Sequence, residues 1–123
     1  MKKILIIDDK PSLSRLVIHF LSKSFDLTSR EDGLQALAWL QAGNIPDLIL
    51  TDLQMPNLDG FEFITKIKES GFFKDIPVVV LSSRDSSSDR IKCLKMGAED
   101  YVVKPFNPEE LQVRIERILA RSN

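Results

Sequence analysis

Residues 4–10 read ILIIDDK. Four apolar residues, three of them isoleucine, run directly into two adjacent aspartates. A short, continuous apolar run rich in β-branched residues is what a parallel strand covered on both faces requires. The acids at its end raise a second question. Two like charges about 4 Å apart repel by roughly 4 kcal/mol at an effective dielectric of about 20. Either Asp8 and Asp9 stand apart in solvent, or something positive sits between them.

Working outward, the same kind of run recurs, alternating with apolar residues at helical spacing. Leu13, Leu16, Val17, Phe20 and Leu21 predict a first helix, with His19 off the apolar stripe as a solvated residue. Residues 25–29 predict a weak edge strand, and residues 33–43 a helix around Leu34, Leu37 and Leu40. Residues 47–51 (DLILT) predict a buried strand; Phe61, Ile64 and Ile67 mark the next helix. Residues 78–81 follow Pro77 as another buried strand. The Ser-rich stretch 82–89 (SSRDSSSD) predicts a mobile loop at that strand's end. Ile91 and Leu94 then mark a helix that Gly97 can close in the left-handed conformation, with Cys93 as a partly buried helix residue. Residues 101–103 predict a last short strand. Asn107, Pro108 and Glu110 supply a cap, a first-turn proline and a capping-box acid for a helix striped by Leu111, Ile115, Ile118 and Leu119.

The order is five β–α pairs, which implies an α/β fold with a parallel sheet and helices on both faces. Without an internal repeat or a long linker, residues 1–123 are expected to form one domain. The chain carries 17 basic and 18 acidic residues for a net charge of −1, so it has no general attraction to nucleic acid or to anionic membranes. The single cysteine fits a reducing compartment. No apolar run approaches the roughly 20 residues of a membrane span, and the start MKKILIIDD is not a signal peptide. A cytoplasmic protein is expected.

In open α/β sheets, ligands bind beyond the carboxyl ends of the strands. Asp8 and Asp9 end the first strand, Asp52 the third, Ser82 and Ser83 the fourth, and Lys104-Pro105 the fifth. Each has an ordinary structural use as a cap, a turn residue or an exposed lysine. Together they put three carboxylates, hydroxyls and an amine on one edge of the sheet. Oxygen donors of this kind suit Mg²⁺, which uses one or two carboxylates plus phosphate oxygens and keeps several waters. A cation would offset the repulsion between the acids, and with Lys104 it would suit phosphoryl chemistry. A carboxylate can itself be the nucleophile, forming an aspartyl phosphate.

In combination, IIDD (6–9), TDLQMPNLDG (51–60), VVVLSS (78–83) and GAEDYVVKPF (97–106) closely resemble the receiver domain of bacterial two-component response regulators. The resemblance runs through nearly the whole chain. It implies a single (βα)5 flavodoxin-like, doubly wound sheet with strand order 2-1-3-4-5. It implies Asp52 as phospho-acceptor, and Mg²⁺, or Mn²⁺ in its place, held by Asp9, by Asp8 through water, by Asp52 and by the backbone carbonyl of Gln54. Lys104 and Ser82 would contact the phosphoryl group, Tyr101 would turn inward with Ser82, and Lys104-Pro105 would be cis. Gln54 and Arg84 fall at two positions that help set phosphoryl lifetime. The implied function is a phospho-accepting switch, not an enzyme acting on external substrates. Its partners would be a sensor histidine kinase or histidine phosphotransfer protein and a downstream effector. That effector would read the face formed by the fourth helix, fifth strand and fifth helix.

Three other readings share the fold or the chemistry. A flavodoxin would need a phosphate-binding loop where this chain has DDKPS, whose carboxylates repel phosphate. An aspartyl-phosphate hydrolase typically has a second acid two residues beyond the nucleophile, where Gln54 stands. A degenerate receiver serving only as a partner-binding module would be expected to lose an acid or the lysine, and all are kept here.

Overall fold

The computed structural model describes residues 1–84 and 86–121, with the side chains of residues 11–14 left aside. Leu13, expected on the first apolar stripe, therefore lies outside the described side chains. The elements alternate strictly: β1 (Lys3–Ile7), α1 (Pro11–Leu21), β2 (Asp26–Arg30), α2 (Gly33–Gln41), β3 (Leu48–Thr51), α3 (Gly60–Glu69), β4 (Val78–Ser82), α4 (Ser87–Lys95), β5 (Asp100–Val103) and α5 (Pro108–Arg121). The strands form one parallel sheet in the order β2-β1-β3-β4-β5, the flavodoxin-like order.

Side chains alternate across a strand with period two, so each central strand supplies two cores. Leu5, Ile7, Ile49, Val78, Val80 and Tyr101 face α2, α3 and α4. Ile4, Ile6, Leu48, Leu50, Val79, Leu81 and Val102 face α1 and α5. This explains why β1, β3 and β4 read as unbroken apolar runs, whereas β2, at the edge, is only half-buried. Phe63 on α3 is fully buried at the centre of the first core; its truncation to alanine would cost about 3–5 kcal/mol.

Several helix faces differ from the sequence expectation. On α2, Leu34 is 51% exposed while Ala36 and Leu40 are buried. On α4, Ile91 and Leu94 are 51% and 45% exposed, and Cys93, expected to be partly buried, is fully enclosed. Leu16 on α1 is also exposed. Helices lying on a sheet bury a narrow stripe, and small residues allow the closest approach, so Ala36 and Cys93 take the inner positions. Enclosure pushes the Cys93 thiol up to about 11, so it is protonated at neutral pH and is no nucleophile. His19 is exposed, as expected. The Ser-rich stretch is partly helical: Ser86 caps α4, its hydroxyl accepting from the Asp89 N–H, and α4 starts at Ser87. Gly97 closes α4 at φ +107°, and the Asn107 side chain caps α5 through the Glu109 and Glu110 N–H groups.

Candidate metal centre

Strand register builds the site. Ile7 on β1 lies beside Thr51 on β3, so the next residues, Asp8 and Asp52, leave the sheet side by side. The Asp52 N–H donates to the Ile7 carbonyl at 3.0 Å, extending the ladder by one bond. Asp9 follows in the exposed β1–α1 turn. One carboxylate oxygen from each of Asp8, Asp9 and Asp52 lies within 4.8 Å of the others. The cluster is asymmetric: Asp8 and Asp52 are buried, Asp9 is exposed.

Lys104 answers the charge problem in part. It leaves β5 one step beyond Val103, which pairs with Ser82, and its N–H donates to the Ser82 carbonyl at 2.8 Å. The Lys104-Pro105 bond is cis, as the resemblance implies. Lys104 Nζ reaches Asp52 Oδ2 at 3.0 Å and Asp8 Oδ2 at 3.5 Å. Burial pushes the Asp8 carboxyl up, against the lowering effects of the Lys10 N–H and Lys104; the neighbouring Asp52 raises it further. One amine reaching two of three clustered acids leaves negative charge uncompensated, and the donor set is oxygen only. Both properties fit a hard divalent cation.

The acid at position 52 is fixed from behind. Its Oδ1 accepts from the N–H groups of Leu53 at 2.6 Å and Gln54 at 3.3 Å. Gly60 packs directly against it: a Cβ there would lie 2.5 Å from the Asp52 carbonyl oxygen, so only glycine fits without a shift. A cleft of about 460 Å³ opens beside the acids, bordered by Asp9, Gln54, Met55, Phe61 and Arg84.

Ser82, Arg84 and Tyr101 form one linked group. The buried Ser82 hydroxyl accepts from the Arg84 N–H at 3.1 Å. The Tyr101 hydroxyl donates to the Arg84 carbonyl at 2.7 Å, and its ring is buried, more enclosed than the half-buried strand aromatic the sequence alone suggests. Burial raises the Tyr101 pKa, so the hydroxyl stays a donor. The Arg84 side chain is held rather than free in a loop. With the Gln54 amide turned to satisfy both residues, its oxygen accepts from Arg84 Nη2 at 2.9 Å and Nε at 3.2 Å. Arg84 Nη1 also lies 3.7 Å from Asp89 Oδ2 at the start of α4.

The structure thus brings together Asp8, Asp9, Asp52 and Lys104 in one cluster, and Ser82, Arg84 and Tyr101 in a second that Arg84 ties to Gln54. Sequence reading missed two residues behind the β3–α3 loop. Asn57 Nδ2 donates to the buried Asp32 Oδ2 at 2.9 Å. A lone Asn in a PNLDG turn signals a left-handed residue, but nothing in the sequence points to a partner 25 residues earlier.

Comparison with known proteins agrees with this geometry. The family model described as "Response regulator receiver domain" matches residues 4–116. A probable transcriptional regulator ycf27 from Porphyridium aerugineum is 40% identical over 121 residues, covering 98% of this chain and 49% of that protein. The chain therefore spans about half the length of the curated relatives it matches. The Mn²⁺-bound form of response regulator Rcp1 superposes with a TM-score of 0.82 at 35% identity, covering 96% of this chain and 91% of that one. The receiver domain of sensor histidine kinase PA1611 from Pseudomonas aeruginosa PAO1 has a magnesium ion in its active-site cleft. It superposes with a TM-score of 0.88 at 29% identity, covering 97% and 98% of the two chains. Sequence match, strand order and acidic cluster agree: the chain belongs to the response regulator receiver domain family, the phospho-accepting switches of two-component signalling.

Proposed function

We propose that Asp52 accepts a phosphoryl group from a phosphohistidine of a sensor histidine kinase or phosphotransfer protein, and that this chain catalyses no other chemistry than its own phosphorylation and dephosphorylation. The observation that carries the reading is Asp52 itself: buried, fixed by two N–H groups on one oxygen and by Lys104 on the other. In the transfer, the N–P bond of the donor breaks, an Asp52 oxygen forms the new P–O bond, and the donor imidazole leaves. Asp9, Asp52, the Gln54 carbonyl and, through water, Asp8 would hold Mg²⁺ or Mn²⁺. The cation supplies charge neutralisation on the transferring phosphoryl oxygens. Lys104, which already pairs with Asp52, would pair with those oxygens, and Ser82, at the end of β4, would donate its hydroxyl to them.

The switch follows from the linked group. A phosphoryl group at Asp52 draws Ser82 towards it. Ser82 is bonded to the Arg84 N–H, and the Arg84 carbonyl to Tyr101, so the β4–α4 segment and β5 respond together. Phosphorylation biases two states that already exist. The surface that reads them out is the face formed by α4, β5 and α5; Ile91 and Leu94 on α4 and Val113 on α5 are about half exposed. Among the described residues no helix is long and apolar enough to cross a membrane; a cytoplasmic location, an effector bound through this face, and no direct nucleic-acid contact by this domain complete the proposal. Incubation with acetyl phosphate and Mg²⁺ tests it by intact mass. One phosphoryl addition is expected, absent with EDTA and absent in Asp52→Asn; undiminished labelling of Asp52→Asn would refute the assignment.

A further inference from the structure

We infer that Asn57 and Asp32 are positioning residues for the metal: their bond holds the β3–α3 loop in the shape that presents the Gln54 carbonyl. The inference rests on the proposed ligand set of Asp8, Asp9, Asp52 and Gln54. Seven residues, 53–59, separate Asp52, just past β3, from α3, and Gln54 is among them. The front of this loop is closed by the Gly60 N–H, which donates to the Leu53 carbonyl at 2.8 Å. The far side turns at Asn57, at φ +68° the one non-glycine residue with positive φ among the described residues. There the Leu58 N–H donates to the Pro56 carbonyl at 2.7 Å, a three-residue turn centred on Asn57. Turns of that hand are rare and strained, and they persist only where the surroundings over-determine them.

Asp32 supplies that constraint. It is 6% exposed, and its Oδ1 caps α2 by accepting from the Gln35 N–H at 2.8 Å. That bond holds its carboxyl below the usual range, so Oδ2 is a charged acceptor for Asn57 Nδ2 at 2.9 Å. The neighbouring Gly33 lets the loop approach: a Cβ there would lie 2.9 Å from the Leu58 carbonyl oxygen. The start of α2, outside the acidic cluster, is thus the fixed point against which the metal-side loop is set. A liganding carbonyl has no side chain to adjust its aim; it is placed only as well as its loop is.

Calorimetric titration of the whole chain with MgCl₂ tests this, beside thermal unfolding of the same proteins in EDTA. Asn57→Gly tolerates the positive φ and removes only the bond, and Asp32→Ser keeps a helix cap but cannot reach Asn57. Each is expected to weaken Mg²⁺ binding by about tenfold, the lower end for residues behind metal ligands. The double variant should lose no more than the weaker single variant, because both remove one interaction. Affinity in Asn57→Gly within about twofold of the parent, whatever the unfolding temperature does, would overturn the inference, as would losses that multiply in the double variant. A parent chain that binds no Mg²⁺ would instead overturn the ligand set beneath it.

Discussion

Lys104 Nζ sits 3.0 Å from Asp52 Oδ2 and 3.5 Å from Asp8 Oδ2, joining the end of β5 to the ends of β3 and β1. The amine and a divalent cation answer the same excess of negative charge. Lys104→Ala is therefore expected to bind Mg²⁺ at least as tightly as the parent, whereas Asp9→Ala loses more than about tenfold. The metal-free Lys104→Ala protein should be less stable, since removing one partner of a buried pair costs about 3–5 kcal/mol, and Mg²⁺ should restore more stability to it than to the parent. Titration and thermal unfolding with and without Mg²⁺ read both; equal affinity losses in the two variants would contradict the charge argument.

Arg84 bears on how long the phosphoryl group lasts. Water must approach in line with the leaving carboxylate oxygen, past the cleft that Gln54 and Arg84 border. The two side chains hold each other there, and neither is a base for that water. The parent should keep its phosphoryl group longer than Arg84→Ala, by about fivefold if the lost bonds contribute about 1 kcal/mol. Decay is followed in excess Mg²⁺ after removal of the donor. Slower decay in Arg84→Ala would show instead that the guanidinium assists hydrolysis.

The strands and the acids were legible because their signals are local. β1, β3 and β4 are buried on both faces, so each reads as an apolar run, and parallel strands place their carboxyl ends together. Asp8, Asp9, Asp52 and Lys104 follow from that alone. The inner face of α2 was legible at Leu37 and Leu40 but not at Leu34, and that of α4 was not legible, because Leu34, Ile91 and Leu94 are as apolar as any core residue yet stand half exposed. Apolar spacing marks a stripe without saying which side the sheet lies on; on α2 and α4 the small residues Ala36 and Cys93 are chosen by packing distance. Nor could the sequence place Arg84 against Gln54, or Asn57 against Asp32, since each pair joins two loops whose approach is a tertiary result.

Asp32 also predicts a pH dependence. Its folded pKa is depressed, first by the Gln35 N–H and also by Asn57. A depressed carboxylate contributes stability that is present above the unfolded pKa of about 3.9 and lost as pH falls through the folded pKa. The stability gap between the parent and Asp32→Ser should hold from neutral pH to about 4, then narrow on further acidification. Urea unfolding across that range measures it; a gap that stays constant below about pH 4 would contradict an ionised Asp32 in the fold.

The central claim is that one carboxylate among three takes the phosphoryl group. An acyl phosphate is reduced by borohydride to the corresponding alcohol, so a phosphorylated aspartate becomes homoserine. The chain would be loaded with acetyl phosphate and Mg²⁺, reduced, digested and sequenced by tandem mass spectrometry. Homoserine is expected at position 52 and nowhere else. Homoserine at position 8 or 9, or a phosphoryl addition that leaves Asp52 intact, would contradict the account.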